Sequence, residues 1–280
     1  NALISADFTE CNAENGGAIY VSGTNANITD STFQNCIAMD GGNGGAIFVA
    51  GMNTNVENSK FNNVRTGDDG QGGAIYIEGA SAKVSESEFE NTHAHDGGAI
   101  YIEGNDTKIE NVDIVSSDAT NNGGAIYVHG VHTLVQDSTF TKTYTQVGVG
   151  GAIAIVGENT TIKDSSFTDS HSTVGGAIYV TGNDNEIRNS NISTTLSIGG
   201  DGGAIYAGGV NTAITHVNIT NAHAIHVGPP GAGMGGNGGA IYISGDDAKV
   251  TDTECSVYSA DDKGGAVYID GEGVNITHSY

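Results

Sequence analysis

The chain has no tryptophan, two prolines, three cysteines, and nine lysines and arginines among 280 residues. Each scarcity narrows the function. Nine cations against 33 aspartates and glutamates give a net charge of −24. Nucleic acid is therefore not an expected partner, because binding it means neutralising phosphates with Lys and Arg. Such a charge favours solubility and keeps surfaces apart. No stretch approaches the ~18 consecutive apolar residues of a membrane-spanning helix, so no transmembrane segment is expected. Polysaccharide-cleaving sites need clustered carboxylates with a nearby base or cation. The two arginines, Arg65 and Arg188, lie far apart in the chain.

Glycine is the residue in excess, with 44 copies. It is phased, so it does not signal disorder. Gly-Gly-Ala occurs ten times, beginning at Gly16, Gly44, Gly72, Gly97, Gly123, Gly150, Gly175, Gly202, Gly238 and Gly264. A period in this range marks a solenoid built from one repeated supersecondary unit. Take the first Gly of each copy as phase 0. Phase 2 is then always Ala, phase 3 is Ile or Val, phase 5 is Val or Ile in nine copies, and phase 7 is always Gly. Phase 12 is always Ile or Val, and phase 17 is Phe or Ile in eight copies, with Cys255 in the ninth.

The apolar spacing of two is strand periodicity, and β-branched residues fill the apolar positions. The 3.6-residue period of a helix is absent. The expected fold is all-β: a single parallel β-helix of about ten coils over residues 1–280, with about three short strands per coil. The phase-7 Gly is expected at a corner with positive φ. Asp, Asn and Ser at phases 13 to 15 read as a second corner. Length varies only between phase 18 and the next Gly-Gly, which places insertions at a third corner.

Phase 4 is aromatic in nine copies: Tyr20, Phe48, Tyr76, Tyr101, Tyr127, Tyr179, Tyr206, Tyr242 and Tyr268, with Ala154 as the exception. Alternation with phases 3 and 5 sends these rings, and the phase-2 alanines, to the outer face. Coils spaced roughly 4.8 Å apart would align the rings as a stripe on a rod. Variable loops could cover the stripe; left open, it would form an assembly or ligand face.

Phase 14 gives a polar ladder that includes Asp30, Asn58, Glu86, Asn111, Asp137 and Asp164. Its continuity along the rod suits structure better than a localised active site. The histidine pairs His93/His95, His129/His132 and His223/His226 fall in different coils, whereas zinc needs three or four convergent ligands. The acidic pairs Asp68-Asp69, Asp246-Asp247 and Asp261-Asp262 lack a calcium-loop pattern and read as solvated loops. The Gly-rich segment 228–236 lacks the Gly-Lys-Ser/Thr ending of a phosphate loop and reads as a flap or clasp. No catalytic residue, metal site or cofactor is expected.

Phe8 falls at phase 17 of a partial coil, which puts Cys11 and Cys36 at the same phase of adjacent coils. Stacking would bring their Cα atoms within disulfide range, so a Cys11–Cys36 bridge is expected. Cys255 sits in a core slot and reads as a small hydrophobe. Asn-x-Ser/Thr sequons occur at Asn27, Asn105, Asn159, Asn191, Asn218 and Asn275. Sequons and a disulfide together point to an extracellular or cell-surface location.

The recurrent Gly-Gly-Ala-Ile followed by a Phe-centred strand resembles the repeats of polymorphic outer-membrane proteins and of methanogen adhesin-like surface proteins. The resemblance spans the chain. Its second half departs, with Phe33-Gln34-Asn35, Phe61-Asn62-Asn63 and Phe89-Glu90-Asn91 where the polymorphic proteins carry Phe-x-x-Asn. The resemblance implies a surface β-helix used in adhesion or as wall material. Asn1 falls at phase 10 and Tyr280 at phase 16, both inside a coil. Contact with further copies, end to end and sideways, is the expectation drawn from this. The leading functional expectation is a non-catalytic subunit of an envelope layer, sheath or filament. An adhesin segment meeting carbohydrate or a host surface comes second, and a polysaccharide-active enzyme third.

Overall fold

The computed structural model describes residues 2–226 and 236–280, and every regular element among them is a strand. The strands form three sheets of 11, 16 and 10 members, and neighbouring strands belong to successive coils. All pairings are parallel and phase-matched: Ile75 faces Ile100, Val84 faces Ile109, and Phe61 faces Phe89. The chain is a parallel β-solenoid of about ten turns. One sheet carries phases 3 to 5 and a second carries phases 11 to 13. The third begins at phase 16 and bends. In the earlier coils the bend divides it, as in Lys60–Asn62 and Arg65–Thr66; later it is continuous, as in Asn191–Ile198. The Gly-rich segment read as a flap lies, apart from Gly236, outside the described residues.

The corners are sharper in kind than the sequence suggested. Four left-handed residues recur in each coil, at phases 0, 9, 14 and 19. In one coil these are Gly72 (φ 64°), Ser81 (φ 59°), Glu86 (φ 51°) and Asn91 (φ 54°). Left-handed backbone strains most L-residues, and Asn and Asp bear it best. That preference explains the Asn- and Asp-rich composition of phases 9, 14 and 19.

The phase-7 glycines, expected at positive φ, do not have it. From Gly51 onward they are excluded from carrying a side chain by the coil beneath them. A Cβ on Gly79 would lie 2.3 Å from the carbonyl oxygen of Gly51, and one on Gly104 would lie 2.3 Å from that of Gly79. The phase-2 alanines also depart from expectation. Ala46, Ala74, Ala99 and their equivalents as far as Ala240 are fully buried in the core, while Ala18 and Ala266 are half-buried. At this point the backbone is turning rather than extended: the N–H groups of Ala46 and Ile47 both donate to the single carbonyl of Ala74, at 3.0 Å each.

Ile and Val at phases 3, 5 and 12 point inward with the phase-17 residues, and the central coils bury them completely. Phe8, Phe33, Phe61 and Phe89 stack face to face with centroids 5.0, 4.7 and 4.6 Å apart. Phe140 and Phe167 form a second stack at 4.8 Å.

A serine ladder runs beneath the phase-14 corner. There the left-handed turn takes the phase-15 N–H out of line with the next coil's carbonyls, and a hydroxyl supplies the acceptor instead. Ser59 N–H donates to Ser87 Oγ at 3.1 Å, and Ser138 N–H to Ser165 Oγ at 3.3 Å. Each hydroxyl in turn donates to a carbonyl two residues back, as Ser165 does to Lys163 at 2.8 Å. Ser165→Ala removes the acceptor for the buried Ser138 N–H and one donor to the part-buried Lys163 carbonyl. The expected loss is about 1–3 kcal/mol, measured by urea denaturation. A loss within the ordinary surface-mutation range of about 0.5 kcal/mol would show the ladder to be dispensable.

The expected Cys11–Cys36 disulfide is not formed; both are free thiols. The two residues do stack in adjacent coils, with Ile37 N–H donating to Cys11 C=O at 2.8 Å. However, each Sγ lies 3.7 Å from the carbonyl two residues before it, Thr9 for Cys11 and Gln34 for Cys36. The two thiols are thus neighbours along the ladder, unbonded, each set against the carbonyl two residues before it. Burial pushes the Cys36 thiol up to about 11, which disfavours the thiolate needed for oxidation. Cys255 packs against the core as expected, and burial raises it to about 11 as well.

Candidate functional site

The phase-4 rings lie on one sheet face in a ladder, but they cover one another. Tyr20, Phe48, Tyr76, Tyr101 and Tyr127 stack with centroids 4.8–5.1 Å apart, as do Tyr179, Tyr206, Tyr242 and Tyr268 at 4.9–5.2 Å. Tyr20 is 55% exposed, whereas Phe48, Tyr76 and Tyr101 are buried at 7–9%. Stacked rings present edges and hydroxyls rather than faces. Tyr76 donates its hydroxyl to Glu103, and Tyr206 shares a 3.0 Å hydrogen bond with Ser244. Burial is the main cause that raises the phenols of Tyr76, Tyr101 and Tyr127, and it pushes Tyr242 up to about 12. Ala154 breaks the ladder into two stacks, with Tyr127 on one side and Tyr179 on the other.

The phase-14 corner is the polar ladder the sequence implied. Asn58 donates to Asp30 at 2.5 Å and Asn189 to Asp164 at 3.2 Å, so amides separate the carboxylates. The histidines are dispersed and engaged locally: His95 with Asp96 at 3.0 Å, His132 with Asp106 at 3.5 Å, and His223 with Ser259 at 2.7 Å. Among the described residues no group of three His, Cys, Asp or Glu side chains converges as a metal site. No helix among them is long and apolar enough to cross a membrane. The sequon residues Asn105, Asn159, Asn191, Asn218 and Asn275 are exposed, and Asn27 is half-buried. Asn191 and Asn218 are direct ladder neighbours. The amide oxygen of Asn105 accepts the Val131 N–H at 3.0 Å.

A cleft lies where sequence reasoning placed nothing. The third sheet bends at the left-handed phase-19 residue, and the phase-20 residue beyond it points inward; Thr92, Ser117, Thr143 and Ser170 are all buried. The side chains on either side are left facing outward. One wall of the resulting cleft is Arg65, His93, Asp118, Tyr144 and His171, one residue from each of five coils. The other wall is their phase-19 companions, including Lys142 and Asp169. The cleft encloses about 570 Å³. The only sequence signal for it was the run Arg, His, Asp, Tyr, His at phase 21, and this is visible only once insertions are aligned out of the repeat.

Within the cleft His93 Nδ1 lies 2.7 Å from Asp118 Oδ2, and His171 Nε2 lies 3.1 Å from Asp169 Oδ1. The hydrogen bond that His93 donates to Asp118 raises the His93 pKa, against desolvation, which lowers it. A histidine raised on folding adds stability in full below its unfolded pKa of about 6.5. That contribution is lost as pH climbs through the folded pKa. Asp118→Asn should lower the His93 midpoint in a proton NMR titration. It should also reduce stability at pH 6 while leaving it unchanged near pH 9. An unmoved midpoint would show that Asp118 does not hold the charge.

Neither a protein-family model nor a curated protein sequence matches the chain.

Proposed function

We propose that this chain is a non-catalytic structural subunit of an extracellular layer, sheath or filament. The observation that supports the reading is uniformity. Three parallel sheets stay in register through about ten coils, and the same residue types recur at each rung. Such a solenoid is quasi-one-dimensional, each coil resting on its neighbours, and it behaves as a stiff rod. Its polar positions form ladders along the axis instead of converging on one point, which suits a scaffold better than a reaction centre. The surface is acidic, and mutual repulsion would keep free subunits dispersed until specific contacts form. Exposed Tyr20 and the half-buried rings of Tyr179, Tyr206, Tyr242 and Tyr268 are the side contacts proposed for copies of the chain.

Electron microscopy of the purified protein over a range of salt and pH tests this. Ordered tubes, sheets or filaments are expected, and dispersed particles under every condition would sink it. The second reading, an adhesin segment that meets carbohydrate or a host surface, draws its support from the cleft on the third sheet.

A further inference from the structure

We propose that the cleft on the third sheet binds a linear glycan bearing carboxylate or sulfate groups, laid along the solenoid axis, with Arg65 and Lys142 as the cationic anchors for those groups. The argument begins with the scarcity of cations. Of the nine lysines and arginines, Lys60, Lys83, Lys163 and Arg188 lie within ion-pair distance of a carboxylate. Lys249 hydrogen-bonds Asn211, and Lys263 sits over the Tyr268 ring. Arg65, Lys108 and Lys142 have no such partner among the described residues. Two of these three line one cleft, on a protein of net charge −24. The carboxylates nearby, Asp118 and Asp169, are already engaged by His93 and His171 at 2.7 and 3.1 Å. The residues lining the cleft therefore include two uncommitted cations, and both of the lining acids face a histidine.

Shape narrows the ligand. The walls repeat at the coil spacing, so five rungs cover roughly 19 Å along the axis. That suits an extended chain of polar rings, each placed against one rung. Asn63, Asn91 and Ser116 on the phase-19 wall supply hydrogen-bonding groups of the kind that sugar hydroxyls engage. Tyr144, 45% exposed, adds an aromatic ring on the fourth of the five rungs. A sugar ring lies well against such a surface, one end apolar and the other wet. Nucleic acid is a poor fit, because two cations cannot offset a continuous phosphate backbone against the acidic surface.

Binding can be read on dispersed protein, so its failure would leave the layer reading standing, and a failure of assembly would leave this one standing. The probes are an oligogalacturonate long enough to span five coils and the neutral galactose oligomer of the same length. Both are titrated into the full chain by calorimetry, with Tyr resonances followed by NMR. The acidic oligomer is expected to bind at least about tenfold more tightly than the neutral one. The double variant Arg65→Gln, Lys142→Asn should lose that preference. Both side chains are exposed, and Asn already fills the left-handed phase-19 position at Asn63 and Asn91, so the variant should fold. Tyr144→Ala should weaken binding of the acidic oligomer without abolishing its charge preference. Equal binding of the two oligomers, unchanged affinity in the double variant, or no binding of either would overturn the proposal.

Discussion

Phe61→Ala is expected to destabilise the solenoid by about 3–5 kcal/mol, the range for truncating a fully buried aromatic ring. Phe61 lies between Phe33 and Phe89, with centroids 4.7 and 4.6 Å away and ring planes within 4° of parallel. All three are at most 1% exposed. Losing the middle ring removes two stacking contacts, each about 0.5–1.5 kcal/mol beyond simple burial. The parallel sheets on either side are hydrogen-bonded in register and cannot close on the gap. The cavity term therefore stays near its full value. Phe61→Leu refills much of the space and should recover over half of the loss.

The damage should also be local in a way that a globular core would not show. In a linear repeat array stability is a sum of coil and interface terms, so the variant weakens two adjacent interfaces and leaves distant coils intact. Hydrogen exchange at the amides of Lys60, Phe61 and Asn62 and their partners in the next coils should accelerate. Amides near Phe167 should remain protected. A loss below about 1 kcal/mol in urea denaturation, or uniform acceleration along the rod, would contradict this picture of the core.

The fold was legible because the repeat acts as its own alignment. Ile and Val at phases 3, 5 and 12, and Phe or Ile at phase 17, mark the inward positions in nearly every copy, and strand alternation follows from their spacing. What misled was the use of composition to infer conformation. Glycine at phase 7 suggests positive φ, yet it is a steric vacancy imposed by the neighbouring coil. The left-handed positions are held instead by Asp30, Asn58, Asn63, Asn91 and their equivalents. Alternation likewise fails at the phase-2 alanines, because the backbone there is turning. Equal phase placed Cys11 over Cys36 but said nothing about where the sulfurs point. The serine ladder and the cleft were hidden for a related reason. Both depend on which carbonyl or side chain lies one coil away, and a one-dimensional reading treats coils singly.

One substitution made at two places tests the steric role of the phase-7 glycine. Gly79→Ala should destabilise by more than about 3 kcal/mol, above the ordinary range for an overpacked core. A Cβ at that position lies 2.3 Å from Gly51 O, 2.6 Å from Gly51 C and 2.9 Å from Ala50 O. These are backbone atoms locked into the sheet ladder: Gly79 N–H donates to Val49 C=O at 3.0 Å. Neither coil can retreat without lengthening that bond and those beside it. Gly23→Ala is the matched control. It occupies the same phase with the same ordinary φ, but a Cβ there meets nothing within 4 Å. With no clash, the change should be neutral or stabilise by up to about 1 kcal/mol, because alanine restricts the unfolded chain. If glycine were needed at phase 7 for left-handed backbone, both variants would lose about 1–2 kcal/mol, the strain of an L-residue there. Thermal and urea denaturation of the two proteins separate the cases. A large loss at Gly79 with none at Gly23 identifies coil-to-coil contact as the constraint that keeps this glycine in every repeat, and comparable losses at both would refute it.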